Sequence, residues 1–263
     1  MTVPILQVDA FTDRAFGGNP AAVCLLSQPA EVTWMQHVAG EMNLAETAFV
    51  HPRDDGFGLR WFTPTVEVDL CGHATLASAH ALWEHGTLDL RAVARFHTKS
   101  GVLTAERRGD LIELDFPATP AEPVAIPSGL ADMLGAAPRY VGRSKFDYLV
   151  ELDTEDTVRS LRPDFSRLRR LDARGIIVTS RAGQSACDFV SRFFAPAAGI
   201  DEDPVTGSAH CCLAPFWSAR LHKTECVAHQ VSARGGVLHV RLAGGRVKIG
   251  GHAITVLRGE LLA

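Results

Sequence analysis

The chain has 263 residues, 46% hydrophobic and 21% charged, which places it among soluble globular proteins of one or two domains. A net charge of −4 and a pI of about 6.2 provide no basic face for nucleic acid. No apolar run nears the ~20 residues that cross a bilayer, and Met1 to Asp9 lacks the regions of a signal peptide, so a cytoplasmic protein with no membrane partner is expected.

In chain order, short β-rich runs dominate. Pro4 to Asp9, Ala21 to Leu26, Ala48 to His51 and Leu59 to Thr63 are predicted strands, with a helix over Glu31 to Met42 between them. A second helix is predicted from Ala74 to His85, ended at Gly86. Ala94 to His97, Gly101 to Arg107 and Leu111 to Phe116 follow as strands, the last two joined by a Gly109-Asp110 turn. Four prolines, Pro117, Pro120, Pro123 and Pro127, mark a linker. The pattern then restarts, with strands at Tyr148 to Leu152, Gly175 to Ser180 and Asp188 to Phe194 and a helix at Thr154 to Leu161. Ser208 to Leu213 opens another helix, which Pro215 is expected to kink or interrupt. Gln230 to Ala233, Val237 to Leu242 and Arg246 to Ile249 close the second half. Ala253 to Arg258 is a final strand that can return to the first.

The two halves echo each other. Trp61-Phe62-Thr63-Pro64 leads to Asp69-Leu70-Cys71-Gly72-His73-Ala74-Thr75. Phe193-Phe194-Ala195-Pro196 leads to Asp201-Glu202-Asp203-Pro204-Val205-Thr206-Gly207-Ser208. In each, an aromatic strand ends at a proline and a polar turn precedes an apolar run. Downstream, Gly101-Val102-Leu103 with Gly109 matches Gly236-Val237-Leu238 with Gly244. A repeat of about half the chain predicts two similar domains, 1–118 (completed by 253–263) and 119–252, with a ligand cleft between them. The helices after His73 and Ser208 are apolar around nearly their whole circumference, so each is expected to be buried. In a strand-rich chain the enclosure is a curled sheet. The reading is therefore α+β: two pseudo-symmetric β-rolls, each wrapped around a central buried helix. The N–H groups at such helix starts suit an anion such as a carboxylate, and Thr206, Gly207 and Ser208 fit that role.

Several segments together carry a family resemblance. They are Asp9-Ala10-Phe11-Thr12 with Phe16, Gly18-Asn19-Pro20-Ala21-Ala22-Val23, and Met42-Asn43-Leu44-Ala45-Glu46-Thr47-Ala48-Phe49. Arg60-Trp61-Phe62-Thr63-Pro64, Glu67 to Ala77 and Asp201 to Ala209 complete the set. In this order they resemble the PhzF-like phenazine-biosynthesis proteins, within the diaminopimelate-epimerase-like fold. The resemblance implies a homodimer and cofactor-free proton transfer on a small carboxylate-bearing substrate at the domain interface, with no metal. For the best-known family activity the substrate is trans-2,3-dihydro-3-hydroxyanthranilate. By motif, Glu46 is the expected acid/base, while His73 and Asp203 stabilise shifting charge. Gly72, Gly207 and Ser208 hold the substrate carboxylate.

At a helix N-terminus, His73 is expected to favour its neutral form. Asp203 is also a plausible N-cap of the second central helix. Cys71 stands where two-thiol racemases of this fold carry one thiol, but Asp203-Pro204 occupies the repeat-equivalent place and Cys211 and Cys212 come too late in the helix. A racemase or epimerase using Cys71 with a non-thiol partner is the second hypothesis. A non-catalytic small-molecule-binding or interaction module is the third. No metal-ligand spacing or GxGxxG run is found, and the six cysteines are expected as reduced thiols. His80, His85 and the run from Arg167 to Arg174 are expected on surfaces or helix faces.

Overall fold

A computed structural model of the protein describes residues 2–183 and 186–262. Positions 1 and 263, which the expected domain limits include, lie outside the described residues. The chain divides into two compact units, Met1–Asp115 with Gly250–Ala263, and Phe116–Ile249.

The first unit runs through β1 (Val3–Ala10), β2 (Asn19–Leu25), α1 (Val32–Met42), β3 (Glu46–Arg53), β4 (Gly56–Phe62), β5 (Glu67–Val68), α2 (Gly72–Glu84), β6 (Ala94–Thr98), β7 (Gly101–Arg108) and β8 (Leu111–Pro117). In the second are β9 (Glu122–Pro123), α3 (Leu130–Leu134), β10 (Tyr140–Arg143), β11 (Asp147–Glu151), α4 (Glu155–Ser160), α5 (Phe165–Leu168), β12 (Gly175–Arg181), β13 (Phe189–Ala195), a 3₁₀ turn at Pro196–Ala198, β14 (Ile200–Asp203), α6 (Gly207–Leu221), β15 (Glu225–Gln230), β16 (Gly236–Ala243) and β17 (Arg246–Gly251). Strand β18 (Ala253–Leu261) belongs to the first unit, where it pairs antiparallel with β1 from Val3↔Leu261 to Ala10↔Ala253.

Both units use one strand plan. In the first, β1 and β2 are antiparallel, β2 and β3 parallel, and β3 and β4 antiparallel; β4 then pairs antiparallel with β5 and parallel with β6. In the second, β10 and β11 are antiparallel, β11 and β12 parallel, and β12 and β13 antiparallel; β13 then pairs antiparallel with β14 and parallel with β15. Parallel neighbours need a crossover. In each unit the second crossover is the long helix, α2 or α6. The architecture is thus α+β, with a β-roll around one buried helix in each unit.

Burial explains why these helices are enclosed. In α2, His73 to Ala79 and Ala81 to Trp83 are all buried, and the side chains that reach water are His80 and Glu84 toward its C-terminal end. Its buried hydroxyls are satisfied within the helix: Thr75 Oγ1 donates to the Cys71 carbonyl at 2.5 Å and Ser78 Oγ to that of Ala74 at 2.6 Å. Strands β1, β2, β3, β7 and β18 lie against this helix. Around α6, Phe189 of β13 stacks on Trp217 at 5.5 Å, while the Trp217 indole donates to Thr179 Oγ1 of β12 at 2.9 Å. Outside the rolls, α1 packs Met35, Val38 and Ala39 onto Phe49 and Phe62. In the second unit α3, α4 and α5 bury Leu130, Leu134, Val158 and Leu168 against Ile176, Val178 and Phe194.

Three expectations need correction. Pro215 does not break α6, which runs from Gly207 through Leu221. A proline at 215 has no N–H to offer the Cys211 carbonyl one turn back, and that carbonyl accepts the Thr119 N–H at 3.0 Å instead. The proline-rich segment is consequently tied down, and Glu122–Pro123 pairs with Gly142 and Arg143 of β10. Gln230 to Ala233 is not a strand: β15 ends at Gln230, and the chain turns where Ser232 Oγ donates to the Pro204 carbonyl at 2.7 Å. The run from Arg167 to Arg174 lies largely at the surface as expected, and within it Arg174 also makes a bidentate pair with buried Asp147.

Candidate active site

The first group of candidate residues gathers at the start of α2. Three stretches of chain deliver it. Asp9, buried in β1, accepts the Phe16 N–H on Oδ2 at 2.7 Å and shapes the loop into β2. Gly18 in that loop has φ +59, and a Cβ there would meet the Ala10 carbonyl oxygen at 2.1 Å, so glycine is required. This sets Asn19, fully buried, at the head of β2. Helix α1 ends on Asn43 in the left-handed region (φ 49), its N–H returning to the Ala39 carbonyl, and three residues later Glu46 opens β3 beside Ala21. The third stretch is the β4–β5 hairpin. Arg60 grips Glu67 with two bonds of 2.7 and 2.8 Å, and Lys99 adds a third at 2.6 Å. Arg60 holds the Glu67 carboxyl below its usual range, with Lys99 adding to the effect. Beyond this hairpin come Cys71, Gly72 and His73.

The three stretches converge on the His73 imidazole. Glu46 Oε2 lies 3.1 Å from its Nε2, with side-chain exposures of 13% and 5%. Asn19 Nδ2 lies 3.1 Å from Nδ1, and Cys71 Sγ is 3.5 Å from Nδ1 and 4.0 Å from Nε2. An asparagine amide serves either state of the ring, donating N–H to a bare Nδ1 or, turned over, accepting from Nδ1–H. Burial alone pushes this imidazole down. The anionic forms of Cys71 and Glu46 outweigh burial, and His73 stands well above its ordinary value. The neutral imidazole expected from the helix start is therefore corrected: the helix dipole is a weaker influence than a carboxylate at hydrogen-bond distance. Burial also pushes the Cys71 thiol up, with Glu46 reinforcing and His73 only partly offsetting the effect.

The second group gathers at the start of α6. Thr206 is the N-cap, in place of Asp203. Its hydroxyl donates to Asp203 Oδ2 at 2.5 Å. Gln230, fully buried, clamps this turn: its Nε2 donates to the Asp203 carbonyl at 2.8 Å and its Oε1 accepts the Thr206 N–H at 2.9 Å. Gly207 and Ser208 follow as the first helical residues. Ser208 Oγ accepts from Arg174 Nη2 at 3.2 Å, which leaves its own O–H as a donor. The same guanidinium binds Asp147 at 2.9 and 2.5 Å and lies over the Phe146 and Phe193 rings. One turn on, His210 Nδ1 donates to the Thr206 carbonyl at 2.8 Å. Complete burial pushes that imidazole down to about 4, so it is neutral. Cys211 and Cys212 are pushed up by burial to about 12 and are packed thiols.

Glu46 and His73 are thus brought together in the first unit, and Asp203, Gly207 and Ser208 lie along one turn in the second. Sequence reasoning gave no role to Asn19, Arg174 or Gln230. Asn19 stood inside a quoted motif, and its link to His73 spans 54 positions. The sequence shows no metal-ligand spacing, but the fold brings three possible donors from two segments together. Donor atoms of Glu46, Cys71 and His73 all lie within 4.8 Å of one another. Cys24, Cys71, Cys211, Cys212 and Cys226 are buried free thiols. Among the described residues no helix is long and apolar enough to cross a membrane.

Comparison with known proteins bears on what this arrangement does. Residues 8–259 match the family described as phenazine biosynthesis-like protein, PhzC-PhzF. An "uncharacterized isomerase" of Halalkalibacterium halodurans is 57% identical over 263 residues, covering 100% of this chain and 99% of that one. The crystal structure of a PhzF-family phenazine biosynthesis protein from Enterococcus faecalis superposes with a TM-score of 0.96 at 41% identity, covering 100% of both chains. A structure described as a predicted epimerase from Pseudomonas aeruginosa gives a TM-score of 0.78 at 25% identity, with 99% of each chain covered. The fold is the diaminopimelate-epimerase-like one.

Proposed function

The chain belongs to the phenazine biosynthesis-like PhzC-PhzF family and is an isomerase, and from that premise we propose that it moves a proton on a small carboxylate-bearing substrate without a cofactor. One observation carries the reading: a carboxylate and an imidazole, both largely withdrawn from water, meet at 3.1 Å beside the start of a buried helix. Glu46 removes a proton from a substrate carbon and returns it elsewhere on the conjugated system. His73, raised toward its protonated form, offers positive charge to the electron density that shifts as the C–H bond breaks. Asp203 orients an amine or hydroxyl of the substrate. Backbone N–H groups at Gly72, Gly207 and Ser208, with the Ser208 hydroxyl, receive the carboxylate. We also propose that the protein works as a cytoplasmic homodimer, which light scattering on purified protein tests.

The deciding experiment is turnover in deuterated water. A panel of small unsaturated and amino acids, trans-2,3-dihydro-3-hydroxyanthranilate among them, is incubated with the chelator-treated enzyme and read by mass. A turned-over substrate should gain deuterium at carbon. Glu46→Gln should lose on the order of 10²-fold or more in rate with binding largely kept, and Cys71→Ala far less. Full activity in Glu46→Gln with none in Cys71→Ala would replace the carboxylate mechanism with a thiol one. If every acid in the panel is neither bound nor exchanged, the binding-module reading takes its place.

A further inference from the structure

The thiol is the member of the first cluster that proton transfer by Glu46 leaves unused. We propose that Glu46, Cys71 and His73 form a three-donor site for a soft divalent cation, Zn²⁺ being the best fit, and that filling it shuts off proton transfer at Glu46. The shut-off rests on the isomerase reading above; the binding does not.

The donor set is mixed, one carboxylate oxygen, one sulfur and one imidazole nitrogen, as zinc sites use. Tetrahedral zinc with bonds of roughly 2.0–2.3 Å puts neighbouring donors about 3.3–3.6 Å apart. Here Glu46 Oε2 and His73 Nε2 are 3.1 Å apart, Cys71 Sγ is 4.0 Å from Nε2 and 3.5 Å from Nδ1, and all three donors lie within 4.8 Å of one another, so the thiol must turn toward Nε2 to close the figure. The set has a rigid base. His73 and Cys71 sit two residues apart across the start of α2, and Glu46 is fixed by its strand. A thiolate and a carboxylate together balance the charge of a divalent ion, and the imidazole adds a neutral donor. Asn19 completes the arrangement: its Nδ2 now lies 3.1 Å from Nδ1, and with Nε2 on the metal the amide turned over presents its carbonyl oxygen to Nδ1–H.

Binding is a ligand exchange. The metal displaces the thiol proton and any proton on His73 Nε2 to solvent, and no electrons move. Three protein donors leave the fourth position to water or a ligand carboxylate. Sulfur and imidazole select Zn²⁺ over Mg²⁺ or Ca²⁺.

Cobalt(II) is the probe. Titrated into the purified full chain under reducing conditions, one equivalent should produce a near-ultraviolet thiolate-to-cobalt band and the visible bands of a tetrahedral ion, and added Zn²⁺ should abolish both. Loss of supporting partners alone weakens metal sites 10–100-fold, so Cys71→Ser, which removes a donor, should erase the near-ultraviolet band and weaken binding by on the order of 100-fold or more. Cys187→Ser, a change at a partly exposed thiol away from this cluster, should leave the spectrum intact. X-ray absorption of the zinc-loaded wild type guards against a variant that fails to fold; it should show one sulfur at about 2.3 Å and nitrogen or oxygen at about 2.0 Å. A cobalt spectrum with no thiolate band, a band that survives Cys71→Ser, or a zinc shell with no sulfur each overturns the site. Zinc that binds through sulfur yet leaves deuterium exchange running keeps the site and removes the shut-off.

Discussion

At the start of α2 an imidazole meets a carboxylate, an amide and a thiol. At the start of α6, reached by the same strand order, a hydroxyl meets a guanidinium that Asp147 already holds with two bonds. The first group sets an imidazole drawn up by its neighbours among a carboxylate, a thiol that burial pushes up and an amide. The second is built from a permanent cation, its buried counter-ion and a glutamine that clamps the turn. Two histidines make the same contrast. The buried His73 is raised by its anionic neighbours, whereas His210, equally buried but bonded only to a backbone carbonyl, falls to about 4. One fold plan thus yields two helix starts of different electrostatics, and nearby charge decides which imidazole is raised and which is lowered.

The largest test of this contrast is on rate. His73→Asn keeps a small polar side chain but removes the titrating ring, and should lower turnover by roughly 10²- to 10⁴-fold with the fold intact by circular dichroism. A drop below tenfold would move the reactive role elsewhere. In the second group, Arg174→Met strands the Asp147 carboxylate, whose side chain is 2% exposed. Breaking a buried pair costs about 3–5 kcal/mol, and the guanidinium, at 38% exposed, brings the expected loss to about 3 kcal/mol in urea unfolding.

The two histidines should also separate by pH. The lowered His210 contributes stability that is whole above its unfolded value near 6.5 and is lost as pH falls toward about 4, a loss of about 3 kcal/mol. His210→Asn retains an N–H for the Thr206 carbonyl and should flatten that acid limb. The raised His73 contributes stability that is whole below about 6.5 and fades as pH climbs through its higher folded value, so His73→Asn should flatten the alkaline side instead. Unfolding series at fixed pH values read both, and limbs that change in the reverse sense would contradict the electrostatic account. The smallest effect is expected for Thr206→Val, which removes the hydroxyl bonded to Asp203 and should cost about 1 kcal/mol.

Much of the fold was legible because the repeat is written in local signals. The aromatic strands ending at Pro64 and Pro196 and the helices apolar all round required no tertiary knowledge. What escaped was short or distant. Strands of two to four residues, such as Glu67–Val68, Tyr140–Arg143 and Ile200–Asp203, carry too little pattern to register. Gln230 looked like the start of a strand and proved to be the last residue of one, its side chain turned to the Asp203–Thr206 turn. In the candidate site, motif marked Glu46 and His73 separately, but the charge state of His73 depends on a carboxylate 27 positions earlier in the chain. Arg174 was read as one of a basic run because its partner Asp147 is distant in sequence.

Pro215 has a consequence for anyone seeking to improve this chain by helix propensity. An interior proline is about 3 kcal/mol worse than alanine, so Pro215→Ala is the change a sequence optimiser would choose first for α6. Alanine would also bring an N–H directed at the Cys211 carbonyl, the group that now anchors the connecting segment at Thr119. A more regular helix and a held connector compete for the same oxygen. The least helical residue in α6 thus stands where the second unit fastens its own opening segment, and its apparent defect is a joint.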